Sequence, residues 1–269
     1  MIVAEDIEIP AGSELAPGYT VLRLGSRGSL FDVYEVWSVE RHCRCAAKVL
    51  RPHRRDEPKG RRRLFREGRL LLGLSHPNIV RAYELRERPD PVLVMEALPG
   101  MTVQYWLEEN GRLTTPNLLH LGEHLASAVT YLHRRRILHL DLKPGNLLVS
   151  GGLIRLIDFS LARAPGRGHP GLGTHIYLAP EQALGRTLGA PADVWGIGAV
   201  LWEAAAGRPP FEYPDDSDAY EQLTRRATSI RRERRLPAPL ADGIDACLEP
   251  EPRQRPTVRE LAELFDSLL

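Results

Sequence analysis

The sequence predicts an α+β fold with two lobes: a small β-rich lobe with one main helix, then a larger, mainly α-helical lobe. Residues 19–98 contain short β-branched or alternating runs divided by turns, interrupted by helical spacing over 60–74. The remaining chain carries longer runs with helical periodicity, and Pro99 and Gly100 break the pattern as a hinge would. A chain of 269 residues with 43% hydrophobic content is long enough for one large domain or two lobes.

The first lobe is predicted from five strand-like runs and one helix. In the helix, Leu64, Leu71 and Leu74 form one apolar stripe among arginines. Gly, Ser and charged residues separate the strand-like runs, as turns require. These runs are YTVLRLG (19–25), FDVYEVWSV (31–39), CRCAAKVL (43–50), IVRAYEL (79–85) and PVLVMEAL (91–98).

The second lobe is predicted from three helical signals. Thr115 can cap a helix whose first position is Pro116. The run ADVWGIGAVLWEAAAG (192–207) is apolar nearly all round, which predicts a helix in the core. Thr257 and Glu260 form a capping box at the start of a final helix.

The composition argues against several classes of function. A net charge of +1 provides no bulk attraction for nucleic acid, and the most apolar run, WGIGAVLW (195–202), is too short to cross a bilayer. Three cysteines cannot form an even disulfide framework, and MIVAEDIEIP at the N-terminus lacks the layout of a signal peptide. We therefore expect a cytoplasmic protein without a membrane anchor or a nucleic-acid partner, with its oligomeric state left open.

Charge is nevertheless distributed unevenly along the chain. The runs at 51–67 and 231–236 are basic, and EYPDDSDAYE (212–221) is acidic. We interpret all three as solvated surface. The alternatives are that an acidic partner docks on the basic runs and that the acidic run favours basic substrates.

Five motifs occur in a fixed order and together are very specific. They are LGSRGSLFDVY (24–34), CAAK (45–48), LFREGRLLLGL (64–74), HLDLKPGN (139–146) and IDFS (157–160), and THIYLAPE (174–181) follows them as a structural signature. From about Tyr19 onward the chain resembles a bacterial-type serine/threonine protein kinase catalytic domain. The resemblance implies a protein-kinase-like fold over residues 1–269, with lobes 1–98 and 99–269. It also implies transfer of the γ-phosphoryl group of ATP to Ser/Thr hydroxyls of protein substrates, with Mg²⁺ or with Mn²⁺ in its place.

The first motif is a glycine-rich strand–turn–strand, in which backbone N–H groups can approach phosphates without interference from Cβ atoms. This loop departs from the family pattern, because its three glycine positions hold Ser26, Gly28 and Phe31, with Gly25 just before them. In isolation the motif could be a simple hairpin turn. The resemblance assigns ATP phosphates to Gly25, Ser26 and Gly28, and we expect the bulkier loop to weaken ATP binding.

The second and third motifs supply a lysine and a carboxylate. Strand alternation puts Ala46 and Lys48 on one face, with Cys43 and Cys45 on the other. The resemblance implies that Lys48 holds the α- and β-phosphates and that Glu67 orients it.

The resemblance also implies an adenine pocket, with Val33 and Ala46 above the base and Leu148 below it. Met95 corresponds to the gatekeeper, and the two residues that would offer backbone groups to the adenine edge are Glu96 and Leu98.

The fourth and fifth motifs carry the chemistry that the resemblance implies. Asp141 accepts or orients the proton of the substrate hydroxyl, and Lys143 neutralises charge on the moving phosphoryl group. Asn146 and Asp158 supply the hard oxygen ligands that Mg²⁺ prefers. Ser160 stands where the family usually has glycine, and we expect it to resist a peptide flip without removing a catalytic group.

Four further residues are expected to hold this machinery in place. Thr174 is expected to contact the catalytic loop, and Asp193 to brace that loop from the core helix. Glu181 is expected to form a buried ion pair with Arg255.

Leu140 departs from the family pattern, which has arginine before the catalytic aspartate. In the family, that arginine often binds a phosphate on the activation segment and so orders it. The central part of the present segment, LARAPGRGHPGLG (161–173), contains no Ser, Thr or Tyr. Because phosphate receptor and acceptor are absent together, we hypothesise an active kinase that needs no activation-loop phosphorylation.

Two other readings remain. The altered glycine-rich loop and the Leu140 and Ser160 departures fit a catalytically weak pseudokinase that acts as a nucleotide-binding scaffold. The second alternative is a kinase that phosphorylates small molecules, although Lys143 and the APE residues at 179–181 suit a peptide-type acceptor.

Overall fold

The computed structural model describes residues 7–88, 90–212 and 220–269. Contacts divide the chain into two compact units, residues 1–99 and 100–269. Residues 1–6 and most of the acidic run at 212–221 lie outside the described residues. None of the helices within the described ranges combines the length and apolar character needed to cross a membrane.

The first unit is built on a six-stranded antiparallel sheet with one long helix. The strand order is β1-β2-β3-β4-β6-β5. The elements are β1 (Glu14–Ala16), β2 (Tyr19–Arg27), β3 (Phe31–Ser38), β4 (Cys43–Leu50), α1 (Pro58–Leu72), β5 (Ala82–Arg86) and β6 (Val92–Glu96). All five predicted strands are present, whereas β1 was not predicted because it is only three residues long.

Strand β5 and helix α1 begin two or more residues away from their predicted starts. Strand β5 begins at Ala82 rather than Ile79, because Ile79 belongs to a buried turn in which its N–H donates to the His76 carbonyl. Helix α1 begins earlier than predicted, at Pro58, since proline suits the first turn of a helix. It ends before Gly73, and Leu74 packs beyond it.

The two faces of the sheet have different roles. One face forms a hydrophobic cluster that includes Tyr34, Val36, Cys45 and Ala47. Burial raises the pKa of the Cys45 thiol to about 11, so this thiol stays protonated at neutral pH. The other face of β4 carries Lys48, so the predicted alternation is confirmed.

The second unit is mainly helical, with small strands at its edges. Its helices are α2 (Val103–Asn110), α3 (Thr115–Arg134), α4 (Pro180–Ala183), α5 (Ala190–Ala206), α6 (Ala238–Cys247) and α7 (Val258–Leu268). One small sheet, in the order β7-β8-β9, contains β7 (Met101–Thr102), β8 (Leu147–Ser150) and β9 (Leu153–Leu156). A second pairs β10 (Gly166–Arg167) with β11 (Thr187–Leu188).

Helix α5 lies in the core of this unit, as its apolar sequence predicts, and its Trp195 and Trp202 are fully buried. The capping box of α7 is also confirmed, with the backbone N–H of Glu260 donating to Thr257 Oγ1. The predicted cap of α3 was wrong by one residue. Thr114 Oγ1, not Thr115, accepts the capping hydrogen bond. Because two threonines stand side by side, either could cap by sequence alone.

Candidate active site

The first unit contains a buried ion pair on the face of β4 that carries Lys48. Lys48 Nζ donates to both carboxylate oxygens of Glu67 on α1, at 2.8 and 2.8 Å. The two side chains are 7% and 0% exposed, so both charges are withdrawn from solvent. A symmetric, charge-assisted contact of this kind fixes the position of the ammonium group. The expected pairing of Lys48 with Glu67 is therefore present.

The β2–β3 hairpin is held by side chains as well as by its turn. The N–H of Gly28 donates to the Phe31 carbonyl at 2.8 Å, closing the turn. The Arg27 guanidinium donates twice to Asp32, at 3.1 and 3.1 Å, and the Asp32 carboxylate is fully buried. A Cβ at Gly25 would lie 3.1 Å from the Val33 carbonyl, so glycine suits the close strand approach there.

The location of the Phe31 ring was not predicted from the sequence. The ring lies 5.0 Å from Lys48 Nζ, measured to the ring centroid. The signal was available, because alternation along β3 puts Phe31 on the same face as Val33, which pairs with Lys48 on β4.

The residues predicted for an adenine pocket divide between the two units. In the first unit, Ala46 pairs with Met95 across β4 and β6. The Glu96 N–H donates to the Arg81 carbonyl at 2.9 Å, so a ligand would have to use the Glu96 carbonyl. The other three residues predicted for the pocket are Val33 on β3, Leu98 just after β6, and Leu148 on β8 of the second unit.

In the second unit, the carboxylate of Asp141 is the centre of a hydrogen-bonded network. Its Oδ1 accepts from the N–H and the hydroxyl of Thr174, at 3.1 and 2.8 Å. Lys143 Nζ donates to the same hydroxyl at 2.6 Å and lies 3.5 Å from Asp141 Oδ2. Thr174 therefore connects the acid and the lysine, and its predicted contact with the catalytic loop is confirmed.

A backbone hydrogen bond connects the segments that carry Asn146 and Asp158. Asn146 Nδ2 donates to the carbonyl and to Oδ2 of Asp141, at 2.8 and 3.0 Å, so Oδ1 is the side-chain atom that Asn146 could offer to a metal ion. The N–H of Ile157, next to Asp158, donates to the Asn146 carbonyl at 3.1 Å. Asp158 Oδ1 accepts from the Ser160 N–H at 2.9 Å.

This pair of oxygen donors fits Mg²⁺. The ion is usually held by one or two carboxylates together with water and substrate phosphates, not by an all-protein cage. In keeping with that, the described part of the chain contains no cluster of three or more His, Cys, Asp or Glu side chains able to hold a metal.

Asp193 braces the catalytic loop from α5, as predicted. Its carboxylate accepts from the backbone N–H groups of His139 and Leu140, at 2.9 and 2.8 Å. It also lies 2.8 Å from His133 Nε2. Burial lowers the pKa of His139, whose ring packs edge-on against Phe159 with centroids 5.0 Å apart.

Leu140 has an uncommon backbone conformation, with φ of +66° in the left-handed region. Its side chain is 4% exposed, and its carbonyl accepts from Gln182 Nε2 at 2.9 Å. Gln182, which sequence reasoning did not single out, thus connects the end of the activation segment to the catalytic loop. Gly173, at φ +138°, passes so close that a Cβ there would lie 3.3 Å from the Leu140 carbonyl.

Backbone pairing holds the activation segment along its length. Leu138 and Arg163 exchange two hydrogen bonds, at 2.8 and 3.0 Å. Further along, β10 pairs with β11, and the Gly168 N–H donates to the Arg186 carbonyl at 2.9 Å. Ser160, the first hydroxyl-bearing residue of the segment, is buried.

The segment ends in the predicted buried ion pair. The Arg255 guanidinium donates to both carboxylate oxygens of Glu181, at 2.7 and 2.9 Å. It also donates to the carbonyls of Glu249, Pro191 and Pro250, at 2.7, 2.8 and 3.1 Å. Because the guanidinium has several acceptors, its burial is compensated.

Comparison with known proteins identifies the family. The family model for the protein kinase domain matches residues 19–264. The serine/threonine-protein kinase PkaA of Streptomyces coelicolor is 37% identical over 228 residues, which cover 81% of this chain and 41% of that protein. PrkC of Bacillus subtilis is 34% identical, over 75% of this chain and 32% of its own length. The present chain thus spans well under half of each of these relatives.

A solved structure supports the same assignment. The kinase domain of Mycobacterium tuberculosis PknI matches with a TM-score of 0.76 and 25% identity, covering 97% of this chain and 100% of that one. The kinase-like fold and the likeness to bacterial serine/threonine kinases, both expected from the motifs, are confirmed. The chain belongs to the protein kinase domain family.

Proposed function

We propose that this chain is a kinase catalytic domain that transfers the γ-phosphoryl group of ATP to Ser/Thr hydroxyls of protein substrates. The observation that carries the proposal is the network joining Asp141, Lys143, Thr174 and Asn146, together with the buried Lys48–Glu67 pair. Relatives at 31–37% identity are named serine/threonine-protein kinases, and a kinase domain accounts for nearly the whole chain.

Each group has a proposed role in the transfer. The acceptor oxygen bonds to the γ-phosphorus as the bond from phosphorus to the ADP oxygen breaks, and Asp141 takes the hydroxyl proton. Lys143 balances charge on the transferred group. Lys48, held by Glu67, contacts the α- and β-phosphates.

Asn146 and Asp158 would hold Mg²⁺, or Mn²⁺ in its place, which when bound neutralises phosphate charge. The Asn146 side-chain nitrogen is committed to Asp141, so its oxygen is the atom available to the metal.

We further propose that the activation segment is ordered without phosphorylation. Leu140 is buried where a phosphate receptor would stand, and the contacts of the segment come from backbone pairing, Gln182 and Thr174. No segment position between Ser160 and Thr174 bears a hydroxyl group.

The test uses purified protein with labelled ATP, Mg²⁺ and a cell lysate, followed by phosphosite mapping. Wild type should label protein Ser/Thr residues, and Asp141→Asn should abolish labelling with its fold intact. Asp242→Asn is the matched control, since Asp242 is exposed and pairs only with Arg231 among the described residues. ATP binding without turnover would favour the scaffold alternative, and label found only on metabolites would favour a small-molecule kinase.

The activation-segment proposal has a separate test. Wild type treated with phosphatase should retain its rate. A large loss of activity, traced to a phosphosite between residues 158 and 181, would contradict the proposal.

A further inference from the structure

Phe31 packs against the ammonium group on which ATP binding is proposed to depend. The centre of its ring lies 5.0 Å from Lys48 Nζ, and the residue is only 9% exposed. A cation this close to an aromatic ring is attracted by the negative face of its π system. Phe31 stands at a position where the glycine-rich motif has no side chain, so the contact is a property of this chain.

The register of the sheet directs the ring toward Lys48. Phe31 pairs with Leu50 and Val33 pairs with Lys48, so Phe31 and Lys48 lie on the same face of neighbouring strands, two positions apart. The two side chains are therefore diagonal neighbours, which long side chains can bridge.

The backbone that carries Phe31 is held on both sides. The carbonyl of Phe31 accepts from Gly28 N–H at 2.8 Å. The next residue, Asp32, is fully buried and bonded to the Arg27 guanidinium and to the Tyr34 hydroxyl. With the strand anchored, the ring can leave Lys48 by rotation about its own side-chain bonds.

Phosphate and ring compete for the same side of the cation. A phosphate oxygen contacts an ammonium nitrogen at about 2.8 Å. On the side of the ring, that oxygen would lie about 2 Å from the ring centre, well inside the distance of about 3.3 Å at which carbon and oxygen ordinarily meet. The Glu67 carboxylate holds Nζ at 2.8 Å from both of its oxygens, so the ammonium does not simply move away.

We propose that Phe31 lowers the affinity for nucleotide phosphates because its ring covers one side of the Lys48 ammonium. The ring must turn aside before phosphate oxygens can reach that side of the ammonium. The proposal rests on the proposed function, since it assigns phosphate binding to Lys48. Its consequence is a protein whose ATP affinity is lower than its Lys48–Glu67 pair would otherwise permit.

The test measures equilibrium binding of ATP with Mg²⁺, of ADP with Mg²⁺, and of adenosine, by calorimetric titration. In Phe31→Leu and Phe31→Met, which keep apolar volume but lack a ring, the Kd for ATP and ADP should fall about 2- to 30-fold, the range that one cation–π contact provides. Adenosine has no phosphate, so its Kd should stay within about twofold of wild type. Phe31→Tyr keeps the ring and should resemble wild type.

The control is Trp37→Leu, which removes an aromatic ring from the same face of β3, where Trp37 pairs with Arg44. It should leave all three Kd values unchanged, and thermal melts should show every variant folded. An unchanged or raised Kd for ATP in both ringless variants would overturn the proposal, as would an equal change for adenosine. If wild type bound no nucleotide at all, the proposed function itself would fail instead.

Discussion

Asp193→Asn should loosen the catalytic loop, because the Asp193 carboxylate accepts hydrogen bonds from the backbone of that loop. The Asp193 carboxylate accepts three close contacts, from the N–H groups of His139 and Leu140 and from His133, at 2.8 to 2.9 Å. Asparagine has the same shape, but one of its two oxygens becomes an NH₂ group that cannot accept a hydrogen bond. At least one buried backbone N–H is then left facing another donor.

The magnitude follows from these contacts. Hydrogen bonds to a charged group contribute about 1.5–3 kcal/mol each, and a buried donor without an acceptor costs about 1–3 kcal/mol. The Leu140 backbone, at φ +66°, already holds an unfavourable conformation that its bond to Asp193 helps to maintain. We therefore expect the free energy of unfolding to fall by about 2–4 kcal/mol, which lowers Tm by roughly 5–15 °C for a unit of this size.

Two assays check this reasoning. Thermal unfolding gives the loss of stability, with Asp242→Asn as an exposed control that should melt within about 1 °C of wild type. Amide hydrogen exchange should be faster in Asp193→Asn at residues 139–141, because local opening of the loop becomes easier. A Tm equal to that of the control, with exchange at 139–141 unchanged, would refute the bracing role.

Three further outcomes follow from buried charges. Lys48→Met should destabilise the protein by about 3–5 kcal/mol in denaturant titrations, because it removes the cation that balances the buried Glu67 carboxylate. Adding Glu67→Leu should recover most of that loss, and no recovery would contradict the account. Burial raises the pKa of Glu203 to about 7, so its ionisation costs stability as pH rises from about 4.5 to about 7. Glu203→Gln should therefore match wild type at pH 4 and exceed it by about 3 kcal/mol at pH 8, whereas equal stabilities at both pH values would argue against it. Arg255→Lys should lower the free energy of unfolding by about 2–4 kcal/mol. An ammonium group cannot reproduce the forked contact with the Glu181 carboxylate together with the bonds to three carbonyls. A change below about 1 kcal/mol would show that the positive charge alone is sufficient.

Most of the fold could be predicted from local signals. The alternation of CRCAAKVL placed Lys48 and Cys45 on opposite faces of a strand, which depends only on backbone geometry. The apolar character of 192–207 predicted a buried helix, since such a run cannot face water. For the elements that were predicted, errors lay at their ends, as at Thr114 and Ala82, where neighbouring residues offer similar caps or turns. Short elements such as β1 were missed.

The candidate site was predictable where chemistry depends on residue type and order. The resemblance of HLDLKPGN, and of the segments around Asp158 and Thr174, to protein kinase motifs indicated a set of acid, lysine and oxygen donors. Sequence also indicated that a phosphate receptor and its acceptor are both missing around Leu140. None of these inferences requires knowing where side chains point.

The sequence by itself determined which groups are present, their order and the faces on which strand residues lie. Only the tertiary structure decided the contacts that no motif records, which are the ring of Phe31 on Lys48 and the amide of Gln182 on the Leu140 carbonyl. It also decided the left-handed backbone at Leu140. The physical reason is that motifs record local backbone geometry and residue chemistry. Contacts between distant segments depend instead on strand register, buried hydrogen bonds and close packing, which arise only when the whole unit has folded.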